Sequence, residues 1–348
     1  MISMCKKLPV AIVGASGYTG EELVRLTLSH SKLDLKAVTS RQMSSRALME
    51  NFPSAPEDLF YTDATPIELA EIADVFLLAL PHGESRRFAE QLLKVGKIVI
   101  DLSADFRIKN REIFAKYYSH EPPSDELLSL AVYGQPETNR AAIKEARLVA
   151  CAGCYPTSII LPLAPLLSRK IISPKCIVIN SLSGVSGAGR KADVDLLFCE
   201  CNESARAYGG VTHRHIPEIE QELSRVAAEP CTVQFTPHLI PLTRGMITTI
   251  VARPQAGYDG LETDAILEIL NEYYKEEPFV RVLPGGVMPR ISAVARTNRC
   301  DISAIADGRT GNILLYSAID NLTKGAGGQA LQCLNILMGW EQTEGLPQ

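Results

Sequence analysis

The chain has 348 residues, of which 46% are hydrophobic and 22% charged, with a net charge of −5. The length favours two domains and the composition is that of a soluble globular protein. An acidic balance without a long basic run excludes nucleic acid as the expected partner. The nine cysteines are an odd number and scattered, which fits a reducing compartment better than a disulfide scaffold. No charged start leads into an apolar segment, so the expected location is the cytoplasm, or an organelle if a transit peptide has been removed. The apolar stretch Ser158 to Leu167 is interrupted by Pro162 and Pro165 and is too short to span a membrane.

Leu8 to Val13 is apolar and rich in β-branched residues, as a buried parallel strand would be. Gly14-Ala15-Ser16-Gly17-Tyr18-Thr19-Gly20 follows at once. Leu23, Val24, Thr27 and Leu28 then recur at helical spacing. Strand, glycine loop and helix in this order point to dinucleotide binding, with the diphosphate on the helix N-terminus. Candidate contacts are Gly14, Ser16, Gly17, Tyr18, Thr19 and Gly20. A second strand, Leu33 to Thr39, ends in Ser40 and Arg41 where an NAD site would carry Asp or Glu. A hydroxyl and a guanidinium suit a 2′-phosphate, so NADP is favoured over NAD. Further strands at Asp74 to Leu80 and Lys97 to Leu102 complete a strand–helix alternation. This predicts a doubly wound parallel sheet. The segments after these strands, Pro81-His82-Gly83 and Ser103 to Arg107, then lie at the ligand-binding ends.

Ala150-Cys151-Ala152-Gly153-Cys154-Tyr155-Pro156-Thr157 reads as strand, tight turn, cysteine, helix, because proline is favoured in a first helical turn. A thiol there faces the positive end of the helix dipole, which favours the nucleophilic thiolate. Cys154 is therefore a candidate nucleophile. Its alternatives are an inert buried thiol, or a Cys151/Cys154 redox or zinc pair, with Cys199 and Cys201 as further zinc ligands.

Beyond this point the pattern changes. A strand at Cys176 to Ser181 leads into Ser183 to Arg190, whose glycines, hydroxyls and guanidinium suit an anion. His213-Arg214-His215 precedes a helix. Gln234 to Ile240 reads as a strand, as do stretches at 246–253, 291–298, 300–306 and 312–319, with a helix near 261–275. The expectation is an α+β domain on a mainly antiparallel sheet.

Five co-linear motifs carry a resemblance that runs from about residue 8 to the C-terminus. They are the 14–20 loop; Gly153-Cys154-Tyr155-Pro156-Thr157; His213-Arg214-His215 with Pro217-Glu218-Ile219; Pro237-His238-Leu239 with Arg244-Gly245; and Asp320-Asn321-Leu322 with Lys324-Gly325-Ala326 and Gly328-Gln329-Ala330. Together they resemble the N-acetyl-γ-glutamyl-phosphate reductase family, within the aspartate-semialdehyde dehydrogenase superfamily. One departure is Cys151-Ala152, where that family usually carries Asn-Pro.

The resemblance implies a Rossmann-type dinucleotide-binding domain over residues 1–153, completed by 319–348, and a catalytic and oligomerisation domain over 154–318. It places Asn321 near the nicotinamide; the turn of Pro81, His82 and Gly83, at a strand's carboxyl end, is read from the sheet order as offering backbone contacts beside it. It implies NADPH-dependent reduction of an acyl phosphate to an aldehyde in arginine biosynthesis, without a metal, by a homodimer or homotetramer. In the expected chemistry Cys154 forms a thioester. His215 is the first choice of acid/base and His213 the alternative, since imidazole titrates near working pH. Ser103, Arg107, Ser186, Gly187, Gly189, Arg190 and Arg214 are candidates for holding the substrate's phosphate and carboxylate. The competing reading is a dinucleotide sensor without chemistry.

Overall fold

A computed structural model describes residues 7–190 and 192–348. Residues 1–6, with which the first expected domain begins, lie outside the described residues. Contacts group the chain into two compact units.

The first unit comprises residues up to 111, 120–152 and 326–347. Its strands are β1 (Leu8–Val13), β2 (Leu33–Thr39), β3 (Tyr61–Thr62), β4 (Val75–Leu78), β5 (Ile98–Asp101), β6 (Ala131–Gly134) and β7 (Leu148–Cys151). They form one seven-stranded sheet in the order β3-β2-β1-β4-β5-β7-β6, with every pair parallel. The doubly wound parallel sheet expected from the strand–helix alternation is therefore present. Helices cover both faces of such a sheet, so its strands are apolar throughout. Val10 to Val13 and Val75 to Leu78 are accordingly fully buried. From β1 the chain runs outward through β2 to β3, then crosses back to β4 on the other side of β1. The loops after β1 and β4 consequently flank the crevice where ligands of such sheets bind.

The second unit comprises 112–119 and 153–325. Its strands are β8 (Ile177–Gly184), β9 (Arg206–Ala207), β10 (Val233–Ile240), β11 (Met246–Ala252), β12 (Val280–Val282), β13 (Cys300–Asp307) and β14 (Asn312–Ile319). The order is β12-β13-β14-β11-β8-β10-β9. β12–β13 and β8–β10 pair parallel and the other neighbours antiparallel. In β11 buried and half-buried residues alternate, so one face carries the core.

The helix Cys154–Ser168 packs on that sheet and is buried from Tyr155 to Leu167. Two prolines lie inside it, and each removes the N–H that would pair with the carbonyl four residues earlier. Hydroxyls replace both donors. Ser317 donates to the Ser158 carbonyl at 2.6 Å, and Tyr274 donates to the Leu161 carbonyl. Buried backbone acceptors must find partners somewhere, and these two bonds lock the helix to its surroundings.

One expected strand is not one. Ile291–Val294 is a single helical turn rather than part of a strand over 291–298. Arg296 has φ 63°, which breaks an extended run. The turn's carbonyls also find side-chain partners: the Arg299 guanidinium donates to Ala293, and Thr297 donates to Val294. Alternating apolar residues could not reveal those bonds. No described helix is long and apolar enough to cross a membrane.

Candidate active site

In the first unit the glycine turn follows β1 directly. Gly14 has φ +89°, and a Cβ on it would lie 2.5 Å from the Ala79 carbonyl oxygen. A Cβ on Gly20 would lie 2.2 Å from the Gly14 oxygen. These two glycines are required by close backbone packing. Gly17 is different, since a Cβ there would meet no protein atom nearer than 3.9 Å. It caps the helix Tyr18–Ser29 without a side-chain hydrogen bond. Without a Cβ there, the helix N-terminus is left open to an anion such as a dinucleotide diphosphate. The turn is tied to the end of β2. The Gly14 N–H donates to Thr39 Oγ1 at 3.1 Å, and Ser40 Oγ donates to Ser16 Oγ at 2.9 Å. Tyr18 is exposed and Thr19 half-buried in the helix's first turn. Arg41 is 86% exposed at its side chain, with Glu84 as a loose partner at 3.8 Å.

The Pro81-His82-Gly83 turn is held by an acidic network. Asp105 is wholly buried. It accepts from the N–H groups of Gly83 at 2.8 Å and Arg86 at 3.1 Å, so it caps the helix Ser85–Lys94 from outside. His82 Nδ1 accepts from the Ala104 N–H at 3.0 Å. That bond leaves the neutral ring's proton on Nε2. Ser103 donates to Asp101 at 2.7 Å and accepts from the Asp105 N–H at 3.1 Å, so its buried hydroxyl serves this network. Burial, then the Asp105 charge, push the Asp101 carboxyl up to about 6. Arg107 is buried and donates to the Leu102 carbonyl at 2.6 Å.

In the second unit Cys154 is half-buried and is the first residue of its helix. Glu218 is wholly buried and accepts the Gly153 N–H at 2.8 Å. It sits three residues after His215, in the first turn of the helix Ile216–Ala227. The turn before Cys154 is thus anchored by the helix that follows the histidines. Tyr155 lies edge-on to both rings, with centroids at 5.3 Å from His213 and 5.8 Å from His215. The two histidines are 5.0 Å apart. Phe235 and Tyr208 pack on His213 at 5.4 and 5.6 Å. The Tyr155 and Tyr208 hydroxyls are hydrogen-bonded at 2.8 Å. Burial, reinforced by the Cys154 charge, raises both phenols, Tyr208 to about 12.

The histidines differ. His213 Nδ1 accepts the His215 N–H at 3.1 Å. Burial first, then the Arg214 charge, push His213 down to about 4. It is therefore neutral at pH 7. Arg214 is exposed and lies 5.9 Å from the Tyr118 ring, whose hydroxyl donates to its carbonyl.

The expected anion loop is partly spent on structure. The N–H groups of Val185, Ser186 and Gly189 donate to the carbonyls of Leu242, Thr243 and Ser186. Gly187 is tight against Ser183 Oγ, whereas Gly189 and Arg190 are exposed. Asn321 bridges within this unit. Its Oδ1 accepts the Gly245 N–H at 2.6 Å and its Nδ2 donates to Ser186 Oγ at 3.0 Å. Tyr208 carried no sequence signal. Glu218 had one, its position in the first turn of a helix opened by histidines. No disulfide links the described cysteines, and no group of three metal-ligating side chains occurs among the described residues.

Comparison with known proteins agrees with this architecture. Residues 9–146 match the model of the semialdehyde dehydrogenase NAD-binding domain, and residues 154–321 that of the semialdehyde dehydrogenase dimerisation domain. N-acetyl-γ-glutamyl-phosphate reductase from Citrifermentans bemidjiense is 48% identical, over 97% of this chain and 98% of its own length. The reductase from Akkermansia muciniphila is 47% identical over 98% and 99%. Aspartate semialdehyde dehydrogenase II from Vibrio cholerae shares the fold, with TM-score 0.73 at 16% identity over 96% of this chain and 99% of that one. The NADP-bound enzyme from Candida albicans does so with TM-score 0.72 at 14% identity over 95% and 98%. The chain thus belongs to the semialdehyde dehydrogenases, and among them to the N-acetyl-γ-glutamyl-phosphate reductase family.

Proposed function

We propose that this protein reduces N-acetyl-γ-glutamyl phosphate to N-acetylglutamate 5-semialdehyde and phosphate, with NADPH, in arginine biosynthesis. The observation that carries this reading is Cys154 at a helix start, followed by a buried Tyr155 that packs edge-on to the half-buried His213 and His215. The names of relatives at 47–49% identity support the substrate.

Cys154 thiolate attacks the γ-carbonyl carbon. A C–S bond forms, the C–O bond to phosphate breaks, and phosphate leaves with the electron pair, giving a thioester. The nicotinamide, when bound, supplies the hydride that reduces this thioester. His215 gives a proton to the carbonyl oxygen as charge develops and takes it back as the C–S bond breaks. His213, held neutral, offers Nε2–H as a donor instead. Gly14, Ser16, Gly17, Tyr18, Thr19 and Gly20 cradle the diphosphate. Ser40 and Arg41, without a carboxylate, favour the 2′-phosphate of NADP. Arg107, Arg190 and Arg214 are the cations offered to substrate anions. A homodimer or homotetramer in the cytoplasm completes the reading, supported by the match to a dimerisation domain.

The test runs the reaction backwards. N-acetylglutamate 5-semialdehyde should reduce NADP only when inorganic phosphate is present. Reduction indifferent to phosphate, or none with this aldehyde, would overturn the proposal.

A further inference from the structure

Thr323–Gly327 forms a π-helical turn after β14. Such turns are rare and gather at functional sites. Here the turn is pinned by Asp320, which is wholly buried. Its carboxylate accepts from the N–H groups of Leu322 at 2.9 Å, Thr323 at 3.0 Å and Arg296 at 2.6 Å. It is also paired with the Arg244 guanidinium at 2.7 Å, and Arg244 reaches on to Thr323 Oγ1 at 2.9 Å. The Gly325 N–H donates to the Asp320 carbonyl at 2.9 Å.

The turn delivers Gly325 to Cys154. A Cβ on Gly325 would lie 2.8 Å from Cys154 Cβ, 3.2 Å from Cys154 Cα and 3.3 Å from Ile319 Cδ1. Gly325 is not among the glycines with positive φ. Its backbone conformation therefore does not call for glycine, and alanine is the better former of a helical turn. What requires glycine is the space occupied by Cys154.

We infer that Gly325 is a positioning residue for the nucleophile: its bare backbone is the seat on which Cys154 rests. The seat fixes Cα and Cβ of Cys154, and so keeps the sulfur at the start of its helix. This rests on the reading of Cys154 as nucleophile. A misplacement of about 1 Å at reacting atoms costs on the order of 10²-fold in rate.

Gly325→Ala should therefore lower kcat about 10²-fold while leaving the KM for NADPH within about twofold. It should also change the rate at which iodoacetamide alkylates Cys154, measured without cofactor by peptide mass spectrometry, by about tenfold or more. A melting cycle tests the contact itself. With Cys154 present, Gly325→Ala should lower Tm by about 3 °C or more. In a Cys154→Gly background, which removes the nearest opposing atom and leaves only the contacts at 3.2 and 3.3 Å, the same change should cost clearly less. Should Gly325→Ala alone fail to fold, a folded Cys154→Gly/Gly325→Ala protein supports the inference. Equal losses of Tm in both backgrounds, unfolding of both, or unchanged kcat and alkylation would overturn it. Wild-type turnover by Cys154→Ser would sink the nucleophile instead, and the melting cycle would still report the packing.

Discussion

The glycine turn at residues 14–20 and the cysteine turn at residues 151–157 both lead from a parallel strand into a helix, yet they are held differently. The first leans on Thr39, Ser40 and Ala79, all reached through neighbouring strands of one sheet. Two of its glycines answer to backbone packing, and Gly17 faces open space. The second is fixed by residues remote in sequence: Glu218 on the Gly153 N–H, Gly325 against Cys154, and Ser317 and Tyr274 on the carbonyls freed by two prolines. A binding turn needs open backbone, which short-range geometry provides. A reacting atom needs a fixed position, which takes support from many sides.

Four changes probe this contrast. Cys154→Ala should have the largest effect, lowering kcat on the order of 10⁴-fold or more while NADPH binding, followed by fluorescence, persists. Loss of both would make the two turns one unit. Gly20→Ala should come next. Its Cβ would fall 2.2 Å from the Gly14 oxygen, so the turn must distort, at about 1–3 kcal/mol. NADPH affinity should fall by about tenfold or more, with alkylation of Cys154 unchanged. Arg41→Ala should raise the KM for NADPH about tenfold and leave that for NADH alone. Equal effects on both cofactors would remove Arg41 from 2′-phosphate recognition.

The fourth change reads stability against pH rather than rate or affinity. In the unfolded chain His213 titrates near 6.5, whereas burial and Arg214 hold it at about 4 in the folded protein. Between these values the unfolded state binds more protons, so stability rises with pH from about 4 to 6.5 and is lost as pH falls. The contribution is on the order of 2–3 kcal/mol. His213→Asn should flatten the difference in urea midpoint between pH 4.5 and pH 7. Asp101, raised to about 6, gives the opposite slope in both proteins, so the comparison isolates His213. Parallel profiles would place His213 in water.

The same contrast explains how far the sequence could be read. The doubly wound sheet announces itself through apolar strands followed by Gly14 or Pro81-His82-Gly83, because those signals are local. Pro156 and the helical run marked the start of the Cys154 helix for the same reason. The supports of Cys154 left no such trace. Tyr208 reads as an ordinary aromatic until the fold sets its hydroxyl against Tyr155. Gly325 lies in a recognisable motif, yet only the structure supplies what its missing side chain makes room for. Ser103 and the 185–189 loop look like ligand donors in sequence, and the fold uses several of those donors internally. The segment 291–298 misled through alternation, since Arg299 and Thr297 supply bonds that no apolar pattern encodes.

Mixing the enzyme with N-acetyl-γ-glutamyl phosphate in the absence of NADPH tests the thioester most directly. The account predicts a rapid burst of one phosphate per active site, together with a Cys154 peptide that carries the acyl group after acid quench. No burst, or an acyl group on any other residue, would contradict it.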